Sequence, residues 1–274
     1  MKRRERNPVS KALKTLGWLI QTPSAEAGVR EMAAALGLSP SNAHNLLTAL
    51  VNEGFVQQDP RTARYALGPE LLRWAHLVIA RTPLRQVALE HMRRLVEACN
   101  ETAVLGVYNR ARREMMFAVS VDSTHPLRYA IALNEWIPVH TGASGLAIMA
   151  FLPDAEIRTI IQRTGLEPMT PRSITKPKRL LEELKTIRRN GYALSHGQRI
   201  PGAVGLAAPV FGSGGEVVGD VNLTIPEQRF DERASARLLR LLSACAAGIT
   251  AEFGGARPRP EDLTEWAAPR SGPE

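Results

Sequence analysis

Between residues 26 and 67 the chain carries two short helical patterns, a glycine between them, and an alternating hairpin directly after. This order constrains the fold more than any other feature of the sequence. Gly37 punctuates the turn, Ser39 offers a side-chain cap, and Pro40 has the fixed φ of a first helical position. In the second pattern Ala43, Leu46, Leu47, Leu50 and Val51 share one face at helical spacing, with Ser41, Asn45, Thr48 and Asn52 opposite. Taken alone, that is an ordinary amphipathic helix with a solvated polar face. Its outer surface, however, is small and amide-bearing rather than carboxylate-rich, so it can approach phosphates and present donor–acceptor pairs to base edges.

The segment that follows selects the nucleic-acid reading. Residues 55–58 and 64–67 alternate apolar positions on either side of Asp59-Pro60-Arg61-Thr62-Ala63, which describes a two-stranded wing. Arg61 falls at its tip and Arg64 at its shoulder, where a cation reaches a phosphate or the minor groove. The segment reads as a winged helix-turn-helix. Its candidate DNA contacts are Ser39, Ser41, Asn42, His44, Asn45, Thr48, Arg61 and Arg64.

Charge follows the same division. Residues 1–82 hold 11 basic and 6 acidic side chains, whereas residues 83–274 hold 24 and 21, so the positive field belongs to the end that resembles a DNA reader. Lys2, Arg3, Arg4 and Arg6 form a basic arm expected to be flexible over residues 1–8. Cys99 and Cys245 make neither a disulfide framework nor a metal-ligand spacing and read as buried structural thiols. The chain has no apolar run of membrane-spanning length and no hydrophobic signal segment after its basic start, so a cytoplasmic location is expected.

The remaining organisation is α+β. A first helix is expected over 10–21, with Leu13, Leu16, Gly17 and Ile20 packed beneath the reading helices. After the winged domain at 9–68 comes a linker helix within 69–82, whose apolar stripe suits packing against a partner chain or the neighbouring domain. A second domain is expected over 83–254, followed by a flexible tail at 255–274. It begins with a helix at 83–99, with Val87, Ala88, His91, Leu95 and Val96 inward. Strands are expected at 102–108, 114–121, 127–131, 192–195, 205–210 and 217–224, and helices at 142–151, 154–163, 177–190 and 229–253.

Signs of catalysis are poor. Gly142-Ala143-Ser144-Gly145-Leu146 lacks the second glycine of a nucleophile elbow. The glycine-rich run 211–215 is followed by Glu216, so it reads as a hairpin turn and not a phosphate loop. The six histidines have no paired metal spacing, and His196 beside Ser195 would point to the opposite face of a strand. No metal or cofactor is expected. A DNA-binding head fused to a small-molecule enzyme stands as the alternative, and an architectural DNA protein as a third. The balanced charge of residues 83–274 speaks against the last.

Several segments in order resemble the IclR-type family of bacterial transcriptional regulators, from about residue 9 to residue 253: 32–39, 64–68, 133–145, 187–193 and 202–210. The resemblance implies a GAF-like effector-binding domain with an antiparallel sheet flanked by helices. It also implies double-stranded operator DNA and a small organic or aromatic acid as partners, with homodimers through the DNA-binding domains, often paired into tetramers. Position by position it places the effector pocket on Ala143, Ser144, Ser195, Ala203, Gly205, Asn222 and Thr224. Free backbone N–H groups at a helix start near Ala143 and Ser144 suit a carboxylate. The chain departs from the family pattern in two places. Asn45 stands where many relatives carry arginine, and Ser195 and Gly205 stand where relatives often carry an acidic residue or cysteine.

Overall fold

The computed structural model describes residues 7–24, 26–81 and 84–258. The basic arm Lys2, Arg3, Arg4 and Arg6 and most of the tail lie outside the described residues. The chain divides into two compact units, one up to Pro83 and one from Leu84.

The first unit opens with α1 (Pro8–Gln21), α2 (Val29–Leu36) and α3 (Pro40–Asn52). Asn7 caps α1, its side chain accepting from the Val9 amide at 2.9 Å, and Pro8 sits at the first helical position. The helix therefore starts two residues earlier than expected. Gly37 ends α2 in the left-handed conformation, at φ 63°, with its amide on Ala33 and Ala34. Ser39 then caps α3 by accepting from Asn42 N. Leu19, Met32, Ala33, Ala43, Leu47 and Leu50 close the core of the unit together with Val56 and Tyr65.

The inward face expected for α1 needs correction. Leu16 packs on the core as expected, beside buried Thr15 and Leu19, whereas Leu13 is 64% exposed and Ile20 55%. The helix has two apolar stripes, and the one carrying Val9, Leu13 and Ile20 faces outward.

The wing pairs β1 (Val56–Gln58) with β2 (Tyr65–Leu67), antiparallel, and Ala27 adds a bridge to Tyr65. The helix α4 (Pro69–Arg81) starts against the wing, where Gly68 lies so close to Gly54 that a Cβ would meet the Gly54 carbonyl at 2.2 Å. Trp74 packs edge-on to Phe55, while Leu72, Leu77 and Val78 are exposed.

The second unit contains α5 (Leu84–Cys99), β3 (Thr102–Asn109), β4 (Glu114–Val121) and β5 (Ile137–Pro138). Then follow α6 (Gly142–Met149), α7 (Asp154–Thr164), α8 (Pro177–Asn190), β6 (Ala193–His196), β7 (Ala203–Phe211), β8 (Val217–Pro226) and α9 (Ser235–Glu252). The strands form one antiparallel sheet in the order β5-β4-β3-β8-β7-β6. On one face α5 and α9 cover Leu105, Leu206, Val221, Leu223 and Ile225. On the other, α6 and α8 pack over Val104, Phe117, Ala193 and Ala207. Every residue of α6 is buried, which is the physical consequence of a helix with no charged residue on any face.

Two expected elements differ. Residues 127–131 form no strand, and Leu127 is 61% exposed. The outer edge of β4 is paired instead by Ile137 and Pro138, opposite Met115 and Glu114. The closing helix begins at Ser235 and not at residue 229, because Arg229 is held in a turn. Its guanidinium binds Glu101 through both oxygens, at 2.7 and 2.5 Å, and donates to the Leu127 carbonyl. The start of the expected tail is packed: Gly255 N donates to Thr250 O, and Arg257 lies over the Phe151 ring.

Among the described residues, no group of three or more His, Cys, Asp or Glu is placed to hold a metal, and no helix is long and apolar enough to cross a membrane. Cys245 is buried and Cys99 half-buried. Both thiols are free, and burial pushes both upward, Cys245 to about 12.

Candidate functional site

In the first unit the polar face of α3 is open. Ser41, Asn42, His44, Asn45 and Thr48 are all exposed, on the side opposite buried Ala43, Leu47 and Leu50. Ser39 is also exposed; its oxygen accepts from Asn42 N as the helix cap, which leaves its hydroxyl proton and a second lone pair for another partner. His44 leans toward the wing, with Nδ1 3.5 Å from the Tyr65 hydroxyl.

The two wing arginines separate. Arg61 is exposed at the tip, where the Asp59 carboxylate accepts from its backbone amide and shapes the turn. Arg64 instead braces the wing against the start of α2. It donates to the Glu26 carbonyl at 3.0 Å and to Glu31 at 3.1 Å, and Glu31 also accepts from Gly28 N. The sequence placed both as phosphate contacts; in the fold, Arg64 has a structural task that Arg61 lacks.

In the second unit, Ala143, Ser144, Ser195, Ala203, Gly205, Asn222 and Thr224 all line one cavity, of about 400 Å³ with its mouth included. Strand alternation assembles it. On β8, Asp220, Asn222 and Thr224 face α6 while Val221, Leu223 and Ile225 face α5 and α9. On β6 Ser195 faces the cavity, and His196 points away, its ring edge-on to Phe230. The pairing Ser195–Gly205–Thr224 across β6, β7 and β8 sets these positions side by side. Gly205 keeps the space open: a Cβ there would sit 3.0 Å from Ala143 Cβ and 3.2 Å from Ser195 Oγ.

Sequence reasoning missed the charged part of the site. Gln198, Arg199, Phe117 and Ile131 also line the cavity, beside Thr141, Gly142 and Ile200. Thr170 and Ser173 anchor the loop carrying Arg199 by donating to the carbonyls of Gly197 and Gln198 at 2.7 and 2.6 Å. The Arg199 guanidinium lies 5.0 Å from the Phe117 ring centroid, and its stem packs on Gly142, the first residue of α6, at φ 74°. Burial lowers its pKa, with Asp220 acting in the opposite sense.

Asp220 is fully buried against Gly106, where a Cβ would come within 2.0 Å of its Oδ1. Burial pushes its carboxyl up to about 7; Ser144 and Arg199 both draw it down. Ser144 faces the carboxyl, yet neither group makes a well-aligned hydrogen bond there. The signal for Asp220 was available: it lies two residues before Asn222 on an expected strand and therefore on the same face. Nothing local marks Arg199, which reaches the cavity from a loop.

Comparison with known proteins matches both units. The model for the bacterial transcriptional regulator IclR C-terminal domain covers residues 76–251, and that for the IclR helix-turn-helix domain covers residues 8–60. The chain is 30% identical over 207 residues to the HTH-type transcriptional regulator BhcR of Paracoccus denitrificans, covering 75% of this chain and 74% of that protein. A solved IclR-type regulator from a Silicibacter species superposes with a TM-score of 0.80 at 27% identity, covering 94% of this chain and 100% of that one. An IclR homologue from Microbacterium hydrocarbonoxydans, solved in complex with 4-hydroxybenzoate, shares the fold with a TM-score of 0.74 at 23% identity, covering 90% and 99%.

Proposed function

The chain belongs to the IclR family of bacterial transcriptional regulators, and on that premise we propose which residues meet DNA, which hold the effector and how two copies pair. It is a transcriptional regulator with a helix-turn-helix DNA-binding domain and an effector-binding carboxy-terminal domain. The proteins it matches are named as regulators and repressors, and we infer a regulatory rather than a catalytic role.

For DNA, α3 enters the major groove with Ser41, Asn42, His44, Asn45 and Thr48 outward, Asn45 reading a base edge. Arg61 reaches the backbone from the wing, and Ser39 contributes through the start of α3. For the effector, the cavity of Ala143, Ser144, Ser195, Ala203, Gly205, Asn222 and Thr224 receives a small organic acid. The observation carrying this reading is the convergence of seven residues, scattered over 82 positions of sequence, on one cavity.

We propose further that two copies pair through the first unit. Exposed Val9, Leu13 and Ile20 of α1 and exposed Leu72, Trp74 and Leu77 of α4 offer apolar surface of the kind a partner covers. Half-sites about one helical turn apart then follow from the two-fold. Pairing of such dimers into tetramers and a cytoplasmic location complete the proposal.

The test is footprinting of genomic fragments followed by quantitative gel shifts with Asn45→Ala. A base-reading side chain predicts a loss of about 1–3 kcal/mol on the operator and little change on unrelated duplex. Equal losses on both would reduce Asn45 to backbone positioning.

A further inference from the structure

The cavity holds more unsatisfied polar chemistry than a packing void tolerates. Ser144 is 3% exposed and Asn222 7%, and both present a side-chain oxygen without a partner. Gln198 Oε1 and one terminal nitrogen of Arg199 are likewise buried and unpartnered. Buried groups of this kind cost free energy unless something completes them. Ser144 stands in the first turn of α6, whose cap residue Thr141 makes no side-chain hydrogen bond to the helix. Of these groups Arg199 and the Ser144 hydroxyl are donors beside the start of α6 and suit the two oxygens of an anion, whereas Gln198 Oε1 and the Asn222 oxygen are acceptors that a donor, from the ligand or from water, would complete.

Asp220 complicates that picture in an informative way. Both its oxygens are unpartnered and it is fully enclosed, on the same face of β8 as Asn222 and Thr224 but outside the cavity lining, close enough to Ser144 and Arg199 for both to act on its carboxyl. Around it stand Gly106 of β3, Met115 of β4 and Pro209 of β7, none ionisable, the Ser144 hydroxyl from α6, and Arg199 from the 197–200 loop. Among the described residues Arg199 is the charged group whose field reaches it. An anion on Arg199 and Ser144 would face an ionised Asp220 across the serine, and two like charges in a dry site do not coexist cheaply. A proton on Asp220 removes the repulsion. It also reverses Ser144, because a protonated carboxyl donates to the serine oxygen and frees the serine proton for the incoming anion.

Building on the effector-pocket reading above, we propose that the effector is a small carboxylate bound together with one proton. The carboxylate lies on Arg199 and Ser144, and the proton, taken from solvent, lies on Asp220. Anion binding then raises the affinity of Asp220 for its proton, and proton binding raises the affinity for the anion by the same factor. Below the range where free Asp220 titrates, effector affinity is independent of pH. As pH rises through that range it falls by up to tenfold per unit, as one coupled proton requires.

The test is calorimetry on the full chain with propanoate, benzoate and phenylacetate, each beside its uncharged amide. At least one acid should bind and its amide should not. Acid titrations above about pH 7, in two buffers of different ionisation enthalpy, should register uptake of up to one proton. Arg199→Gln should weaken the acid roughly ten- to a hundredfold, the usual span for losing a charged hydrogen bond. Asp220→Asn should bind it with a dissociation constant that stays flat between about pH 6 and about pH 8.

Absence of proton uptake by the unmodified chain overturns the proposal without any variant having to fold, as does an unchanged pH slope in Asp220→Asn. Failure of every acid to bind at millimolar concentration overturns the carboxylate assignment. Gly205→Leu, which fills the cavity, separates this failure from failure of the pocket itself. If amides bind and are lost in that variant, the pocket stands and the carboxylate falls. If acids bind the filled variant undiminished, the pocket reading falls as well.

Discussion

Replacing Asp220 by asparagine tests the buried carboxyl through stability alone, with no ligand present. In the unfolded chain an aspartate titrates near pH 4. In the fold, burial pushes Asp220 up to about 7, so between these values the unfolded state releases the proton while the native state keeps it. The native state binds more protons there, and its stability falls as pH rises, by about 1.4 kcal/mol per unit, until the folded carboxyl itself ionises. Below both values the penalty is absent. From about pH 5 to about pH 7.5 the accumulated loss is roughly 2.5 kcal/mol, and asparagine, which does not titrate, escapes it.

Any fixed cost of burying the amide is the same at each pH and cancels in the comparison. For a unit of this size, 1 kcal/mol moves the midpoint by about 2–4 °C. Differential scanning calorimetry should therefore show the effector-domain transition of Asp220→Asn gaining on the unmodified chain by about 5–10 °C over that pH interval. A difference that stays constant with pH, or shrinks, would mean Asp220 is ionised in the fold and the account of its environment is wrong.

Arg61→Ala should lower the dependence of log binding constant on log salt by about one unit in gel shifts, whereas Arg64→Ala, whose guanidinium is held by Glu31 and Glu26, should leave the slope nearly unchanged. The idea fails if both variants change it equally. Leu13→Glu, at a side chain 64% exposed, should shift the chain toward monomer in sedimentation velocity while its melting in dilute solution changes little; persistence of the dimer would place the interface elsewhere. Gly106→Ala should destabilise the second unit by about 1–3 kcal/mol, because its methyl would overlap the Asp220 carboxyl. Unaltered denaturant midpoints would show that Asp220 can move aside.

What could be read along the chain was what short-range chemistry decides. Ser39 and Pro40 start α3 and Gly37 ends α2 through hydrogen bonds and φ angles spanning only a few residues, so the reading head was visible before any packing was known. Period-two alternation likewise separated Ser195 from His196, whereas Asn222 and Thr224 came as pocket positions from the family resemblance and fall on one face of β8. Three features were decided only by tertiary contacts. Helix α1 carries two apolar stripes, and helical spacing does not say which one the core takes; α3 and Leu19 settled it. Residues 127–131 have strand-forming side chains, but a strand exists only where a neighbour's edge accepts it, and residues 137–138 hold the outer edge of β4 at Glu114 and Met115. Arg199 and Asp220 are 21 positions apart and come within electrostatic reach of each other only because the loop carrying Arg199 packs on the start of α6, which the Asp220 face of β8 also faces. The charge that shapes the cavity is thus a product of chain crossing and low dielectric, neither of which is written in the order of residues.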